Sequence, residues 1–541
     1  MRHVSKWILL GTVAVAPFAA SAADFEGLFK GHTLEEPGCS VGVSRAGQPA
    51  TFRSYGSADL EHAVPVTADT IMEAGSVSKQ FTATSILMLA QDGKLALTDD
   101  IRKYVPEMPD YGTPITINHL LTHTSGLRDW SDVSVIAGWP RSDVVRSNQE
   151  VLLILSKQKN LNFKPGEQYS YTNAGFSLAA IIVERVSGKT LPDFTRDRIF
   201  KPFGMTHTSW RDNFRRVVPN RAIAYRNKTA TEGYTQEMPF EDTYGHGALL
   251  TTAQDLLTWN DVLTSRKMGE FVTSKLEEQA VLTNGRKLAY ARGLQHATYK
   301  GQHEISHGGS TAAYRTWVGR YPDLKMSVAV LCNGAGIDAN KLGRDAIEQM
   351  RTDAVPKAAA SVGKPTDAEA SQLPGYYLDE RTGHAALIVM RDGVLKFMDP
   401  AADSAREVTL VRVAERSYKR GANDMTFKTG AIESRSADGE ITTFRKTELY
   451  NPPAAELESA VGRYSSAEAN ALIDVTVKDG HLILTPSDRP SVAQTLMPLW
   501  KDTYKDEEGY IVLVRDTGGK VNGIRFTHPR VFSMTFARAG K

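Results

Sequence analysis

A serine and a lysine stand three residues apart in Ser76-Val77-Ser78-Lys79, at the mouth of an apolar run from Phe81 to Ala90. If that run is helical, Ser76 and Lys79 share one face, one turn apart. A serine hydroxyl is a weak nucleophile until a base takes its proton. A lysine amine acts as that base only when neutral, and burial drives lysine toward its neutral form. The start of a helix adds unpaired backbone N–H groups and a positive dipole end, both suited to a developing oxyanion. The pair therefore fits acyl transfer through a covalent intermediate. Ser-x-x-Lys alone is common, and its plain reading is a helix cap beside a surface lysine.

Other segments carry groups that such chemistry uses. In Pro165-Gly166-Glu167-Gln168-Tyr169-Ser170-Tyr171-Thr172-Asn173 a phenol and an amide lie two residues apart, so on an extended or loop backbone Tyr171 and Asn173 point the same way. His307-Gly308-Gly309-Ser310 sets an imidazole beside two glycines that let a substrate approach the backbone closely. Leu120 to Leu127 is a further marked stretch, read as a structural turn. The 13 histidines are scattered without an H-E-x-x-H pattern, and two cysteines are too few for a cysteine-based zinc site. A metal-dependent reaction has little support.

The elements that must position these residues can be read coarsely. Arg2 and Lys6 precede an apolar stretch from Trp7 to Phe18, then Ala20-Ser21-Ala22, which reads as a secretory signal over residues 1–22. A periplasmic or secreted protein is expected, with no membrane span after the signal is removed. The signal carries two of the positive charges, so the formal balance of +2 falls to zero and nothing argues for nucleic acid as a partner. Cys39 to Arg45 and Ala50 to Tyr55 read as strands, followed by the Ser76 helix, which stops at Asp92-Gly93. After a mostly helical middle, Thr316 to Tyr321 and Met326 to Cys332 read as strands, and Asp338 caps a last helix ending near Met350. Strands at both ends with helices between imply an α+β catalytic domain over residues 23–353 that closes one antiparallel sheet from its two termini.

Residues 354–372 shift to Ala, Lys, Ser, Pro and Gly and read as a linker. Beyond it comes an internal repeat. Gly375 and Gly462 lie 87 residues apart, as do Asp392-Gly393 and Asp479-Gly480, which look like hairpin turns between β-favouring runs. Two small antiparallel β-barrels follow, at residues 373–450 and 451–541, since closure removes edges that would aggregate.

The order Ser76-x-x-Lys79, Leu120 to Leu127, Tyr171-x-Asn173, His307-Gly308-Gly309 resembles the serine β-lactamase-like hydrolases, which include class C β-lactamases, D,D-carboxypeptidases, esterases and D-aminopeptidases. A catalytic domain followed by two β-barrels is similar to the bacterial D-aminopeptidases, as are the stretches Ser76 to Thr82, Ser125 to Asp129 and Tyr376 to Gly383. The resemblance implies that Ser76 forms an acyl-enzyme while Lys79 and Tyr171 share the base and acid work. It implies that Asn173 binds substrate or holds Lys79, and that the backbone N–H groups of Ser76 and Ser310 form the oxyanion hole. No cofactor is implied. It also places the first strand beside the last, so that Cys39 and Cys332 could meet as a disulfide, which an exported protein permits.

His307 departs from the Lys-Thr-Gly that many β-lactamases and carboxypeptidases carry. A histidine near its ordinary pKa of about 6.5 is mostly neutral at pH 7, so the anchor for a substrate carboxylate is weaker. His307, Gly308 and Gly309 are expected to line the substrate site. Glu167 is expected to support its loop, not to act as a base. The expectation is a serine hydrolase of small amides or esters, D-aminopeptidase-like, with its barrels capping the cleft. An esterase, a weak β-lactamase and a non-catalytic binder of cell-wall peptides are the alternatives. Small-molecule or short-peptide substrates are the expected partners; the oligomeric state is left open.

Overall fold

A computed structural model describes residues 24–353, 362–379, 384–398, 407–421, 423–436, 439–505 and 509–540. The expected signal, residues 354–361 of the expected linker, and residues 380–383 of the Tyr376 to Gly383 stretch lie outside the described residues. No described helix is long and apolar enough to cross a membrane.

Alternating side chains explain the N-terminal sheet. Its strands are β1 (Cys39–Arg45), β2 (Thr51–Tyr55), β3 (Gln295–Tyr299), β4 (Gln302–Thr311), β5 (Tyr314–Tyr321) and β6 (Met326–Cys332). They run in the order β2-β1-β6-β5-β4-β3, all antiparallel. The first strand thus pairs with the last, with Cys39 opposite Cys332 and Arg45 opposite Met326. Cys39 and Cys332 are joined as a disulfide. Strand β6 is buried along its whole length, because both faces of the sheet are covered. Val328 and Val330 enter one core with Val41, Trp317 and Ile347. Ala329 and Leu331 enter the other with Phe81, Leu256 and Leu257. Burying each such valine or leucine is worth about 1.5–3 kcal/mol, which is why β6 reads as an unbroken apolar run.

Four helices matter for the site: α1 (Lys79–Gln91), α2 (Ala174–Ser187), α3 (Ala253–Thr264) and α4 (Ala339–Met350). Residues Lys79 to Leu87 of α1 are all buried, as expected for a helix apolar on every side. Helix α1 ends at Asp92, and Gly93 follows in a left-handed conformation that stops it. Asp338 caps α4 by accepting a hydrogen bond from the backbone of Lys341.

The C-terminal third is a structural duplication. Its second unit is a closed barrel of eight strands from Gly462–Ser466 to Val531–Arg538, each paired to the next and the last to the first. Its first unit has nine strand segments, with Gly375–Leu378 paired to Ile441–Thr447. The two end segments, Val408–Thr409 and Val411–Ala414, follow one another across Leu410, so one bent strand completes the ring. Both Asp-Gly pairs sit at hairpin turns with positive φ at each residue, the geometry a tight hairpin needs. The Tyr377 hydroxyl donates to Leu373 O at 2.8 Å and the Tyr464 hydroxyl to Ala460 O at 2.6 Å, the same contact once per copy.

One expectation needs correction and one strand was missed. Residues 367–372 of the expected linker are a helix, started by a capping box between Thr366 and Glu369, and a matching helix Ala454–Ala460 leads the second barrel. His307, Gly308 and Gly309 lie just ahead of the two late strands, inside a further strand, β4, whose two glycines hid it from a reading of strand propensity.

The second barrel is packed onto the N-terminal unit. Val133 and Ile136 of the helix Trp130–Ile136 enter the barrel's own core beside Leu484, Phe526 and Met534. Arg128 donates to the carbonyl of Ser533 and pairs with Glu468 at 3.0 Å, both ends nearly buried.

Candidate active site

Ser76 lies on a tight helical turn, Gly75–Ser78, that runs directly into α1. Gly75 is left-handed there, with φ of 51°. Ser76 is the half-buried residue in an otherwise buried run, and it opens into a cavity of about 910 Å³. Tyr171, Asn173, His307, Gly308, Gly309 and Ser310 line the same cavity. The structure thus gathers the expected site residues at one place. Glu167 is exposed and does not line the cavity.

Lys79 is fully buried. Its Nζ lies 3.1 Å from Ser76 Oγ, 2.9 Å from Asn173 Oδ1 and 2.7 Å from the carbonyl oxygen of His246. Burial pushes the Lys79 pKa well down, and the cations Arg530 and Arg141 push the same way, while Asp129 pulls it up. A neutral amine has two N–H groups and one lone pair. Asn173 and His246 take the two N–H groups, which leaves the lone pair for the Ser76 hydroxyl proton. Asn173 occupies the cap position of α2, yet its side chain makes no cap bond because it is held by Lys79.

The Tyr171 ring stands 4.8 Å from Lys79 Nζ. Its hydroxyl is buried without a well-formed hydrogen bond. Burial raises the Tyr171 pKa; the neighbouring Ser76 hydroxyl and the Arg530 charge oppose that rise in part. The phenol is therefore held protonated while the lysine is driven toward its free amine.

Backbone proximity sets the remaining wall. A Cβ added at Gly309 would lie 2.0 Å from Ala74 O and 3.3 Å from Ser76 N, and one at Gly75 would lie 2.7 Å from Ser310 N. Only glycine lets the β4 backbone and the Ser76 turn come this close, which brings the amides of Ser76 and Ser310 to one crevice.

Sequence reasoning did not find the shell around these groups. His123 has positive φ and is buried within the stretch read as a structural turn. Its Nδ1 accepts from Thr172 N at 3.2 Å, so its Nε2 carries the proton and donates to the Tyr290 hydroxyl at 3.1 Å. Tyr290 then donates to His307 Nε2 at 3.2 Å, and His307 Nδ1 donates to Gly308 O at 2.6 Å. Each proton in this chain has one place consistent with its neighbours. Burial, with Lys79 nearby, pushes His307 down to about 4, so the site has no cation at that corner near neutral pH.

Asp129 is fully buried beneath the Tyr171 segment. Its Oδ2 accepts from the backbone of Asn173 and the Thr172 hydroxyl, and its Oδ1 from the backbone and hydroxyl of Ser131. Arg530, from the last hairpin of the second barrel, reaches over this group. Its guanidinium lies 5.2 Å from the Tyr171 ring centre and 3.8 Å from Asp129 Oδ2, and it lines the cavity.

Comparison with known proteins agrees with this geometry. The family model described as Beta-lactamase matches residues 27–350. The chain belongs to the beta-lactamase family. It is a serine hydrolase of that family. It is 30% identical over 313 residues to penicillin-binding protein 4* of Bacillus subtilis, covering 54% of this chain and 67% of that protein. It is 25% identical over 462 residues to a D-aminopeptidase of Cereibacter sphaeroides, covering 84% of this chain and 83% of that protein. Among solved structures, the octameric penicillin-binding protein homologue from Pyrococcus abyssi shares the fold at a TM-score of 0.52 and 21% identity, over 76% of this chain and 96% of that one.

Proposed function

We propose that this hydrolase is exported and cleaves small amides and esters through an acyl-enzyme on Ser76, with amides and short peptides of D-amino acids as its first substrate class. The observation that carries the reading is the buried Lys79 amine, whose two fixed acceptors leave its lone pair to the Ser76 hydroxyl. In this mechanism neutral Lys79 takes the Ser76 proton as Oγ bonds to the substrate carbonyl carbon. The carbonyl oxygen becomes an oxyanion facing the N–H groups of Ser76 and Ser310, an arrangement worth about 3–4 kcal/mol of barrier per donor. The tetrahedral intermediate expels the amine or alcohol, which leaves with a proton from Tyr171. The proton on Lys79 restores the phenol. Water then attacks the ester carbon with the same groups in reverse order and frees Ser76.

The opposite pKa shifts favour Lys79 as base and Tyr171 as acid. The D-aminopeptidase of Cereibacter sphaeroides matches 84% of this chain, beyond the N-terminal unit alone, which favours D-configured acyl groups. The apolar, charged-at-the-start leader supports export. Intact-protein mass spectrometry after incubation with matched D- and L-amides, esters and a cephalosporin tests the reading. The expected result is an acyl adduct on Ser76, largest with D-amides and absent in Ser76→Ala. Absence of both adduct and turnover across the panel refutes it.

A further inference from the structure

The cavity before Ser76 has a charge imbalance that hydrolysis itself does not use. Apart from the groups already assigned chemistry, its ionisable lining is Arg141, Arg315, Arg530 and one acid, Asp338. Two of these cations are committed. Arg141 makes a two-point pair with the nearly buried Glu241. Arg315 donates to the carbonyl oxygens of Ala312 and Tyr314, each at 2.8 Å. Asp338 is spent on the cap of α4.

Arg530 differs. Among the described residues its guanidinium donates no hydrogen bond; its nearest carboxylate, Asp129 Oδ2, is 3.8 Å away and already accepts from Thr172 and Asn173. The side chain keeps 36% of its surface open. Its backbone, by contrast, is fixed. Arg530 N donates to Asp132 Oδ2 at 3.1 Å, and its carbonyl accepts from Asp129 N at 3.2 Å and Asn162 Nδ2 at 2.9 Å. The barrel hairpin is thus clamped by the N-terminal unit and presents a cation with unspent donors to the space that holds the substrate. His307, which lines the cavity, and Lys79, buried behind Ser76, are both held toward neutrality.

We infer that Arg530 is the anion-binding residue of the substrate site, and that the substrate carries a carboxylate or a similarly compact anion a few bonds from the carbonyl that Ser76 attacks. A planar guanidinium with free N–H groups matches a carboxylate at two points. The same charge repels an ammonium group, so a free α-amine is selected against. The inference rests on the reading of Ser76 as the acylated residue and narrows it: the favoured amides are N-blocked by an acidic group or have a carboxylate on the leaving side.

The test compares N-succinyl-, N-acetyl- and unblocked D-alanine p-nitroanilide on the full chain, with a fourth anilide whose leaving aniline bears a carboxylate. One anionic substrate, succinyl or carboxy-anilide, should exceed the acetyl compound in kcat/KM by about ten- to hundred-fold, and the unblocked amine should be slowest. In Arg530→Gln the compounds should fall within about threefold of one another, and Arg530→Lys should retain part of the ranking. Labelling of Ser76 by an activated phosphonate runs in parallel. Its slowing by N-succinyl-D-alaninamide, but not by N-acetyl-D-alaninamide or D-alaninamide, reads the same subsite without requiring turnover. Equal rates and equal protection by charged and neutral compounds, or a ranking unchanged in Arg530→Gln, overturn the inference while leaving Ser76 as nucleophile. Failure of the wild-type protein to label at Ser76 removes the underlying reading instead.

Discussion

Asp129 gives the sharpest test of how the site is held. Replacing it with asparagine keeps the shape and removes the charge. The carboxylate now satisfies four donors: Asn173 N, Thr172 Oγ, Ser131 N and Ser131 Oγ. The amide keeps one oxygen, so it serves one pair and turns its NH₂ toward the other. A hydroxyl can rotate to accept from that NH₂, but a backbone N–H cannot. Hydrogen bonds to an ionised group contribute about 1.5–3 kcal/mol each, so we expect a net loss of about 3 kcal/mol in urea unfolding followed by near-UV circular dichroism. The kinetic effect has a definite sign. Asp129 is the charge that favours protonated Lys79, against burial, Arg530 and Arg141. Removing it lowers the Lys79 pKa further, and Lys79 works as a free amine. The acid limb of the kcat/KM profile therefore moves to lower pH in Asp129→Asn. At the same time kcat at the optimum drops by about ten- to hundred-fold as the Tyr171–Asn173 segment loosens around Lys79. A variant of wild-type stability, or an acid limb displaced to higher pH, would refute this account.

Further substitutions separate chemistry from folding. Tyr171→Phe removes a buried hydroxyl without a well-formed partner, so the urea midpoint should hold or rise while kcat falls about 10²- to 10⁴-fold. Lys79→Arg stays charged at every working pH and should lose at least about 10³ in kcat/KM together with phosphonate labelling. Gly309→Ala should abolish activity because its Cβ meets Ala74 O at 2.0 Å, whereas Gly308→Ala should keep most activity because its nearest neighbour is Asn340 Oδ1 at 3.4 Å; a colorimetric ester assay distinguishes them. Burial, with Asp129 beside it, pushes Asp132 up to about 6, above the unfolded value near 3.8. Between these values the folded chain holds a proton that the unfolded chain has lost, so the penalty grows from pH 4 to 6 and is complete above. Asp132→Asn should then gain about 1–2 kcal/mol at pH 7.5 and nothing at pH 4 in chemical denaturation.

What could be read from the sequence is what lies close along the chain or repeats within it. Ser76 and Lys79 are one helical turn apart, and Tyr171 and Asn173 are two residues apart, so local geometry alone joins each pair. The helix at residues 367–372 was also readable, since Thr366 and Glu369 have capping-box spacing, but the linker-like composition around it hid the signal. Arg530, Asp129, Tyr290 and His123 could not be found this way. His123 meets Tyr290 across 167 residues, and Arg530 sits in a short hairpin loop whose backbone contact with Asp132 spans 398. No periodicity or spacing marks such residues, because only tertiary packing brings them together. The glycines of β4 misled for a related reason. They weaken the strand signal, yet one of them, Gly309, is required where β4 passes the Ser76 turn at backbone distance.

The duplication explains why two barrels can serve one site. In each barrel the hairpin between the last two strands faces the N-terminal unit. In the second this hairpin carries Arg530, beside Tyr171. In the first, Glu440, just ahead of the last strand, lies 3.5 Å from Arg286 and borders a cavity of about 400 Å³ with Tyr169 and Tyr290. Equivalent loops of the two copies thus bracket the Tyr169–Tyr171 segment, one with an acid and one with a base. That placement also decides how the barrels should be tested. Removing the second barrel would expose Val133 and Ile136, which are buried in its core, so a lost activity would report collapse of an apolar surface, not loss of a substrate contact. Single substitutions at Arg530 and Glu440 leave both cores intact, and a change in substrate ranking without a change in unfolding midpoint isolates the contribution of each hairpin.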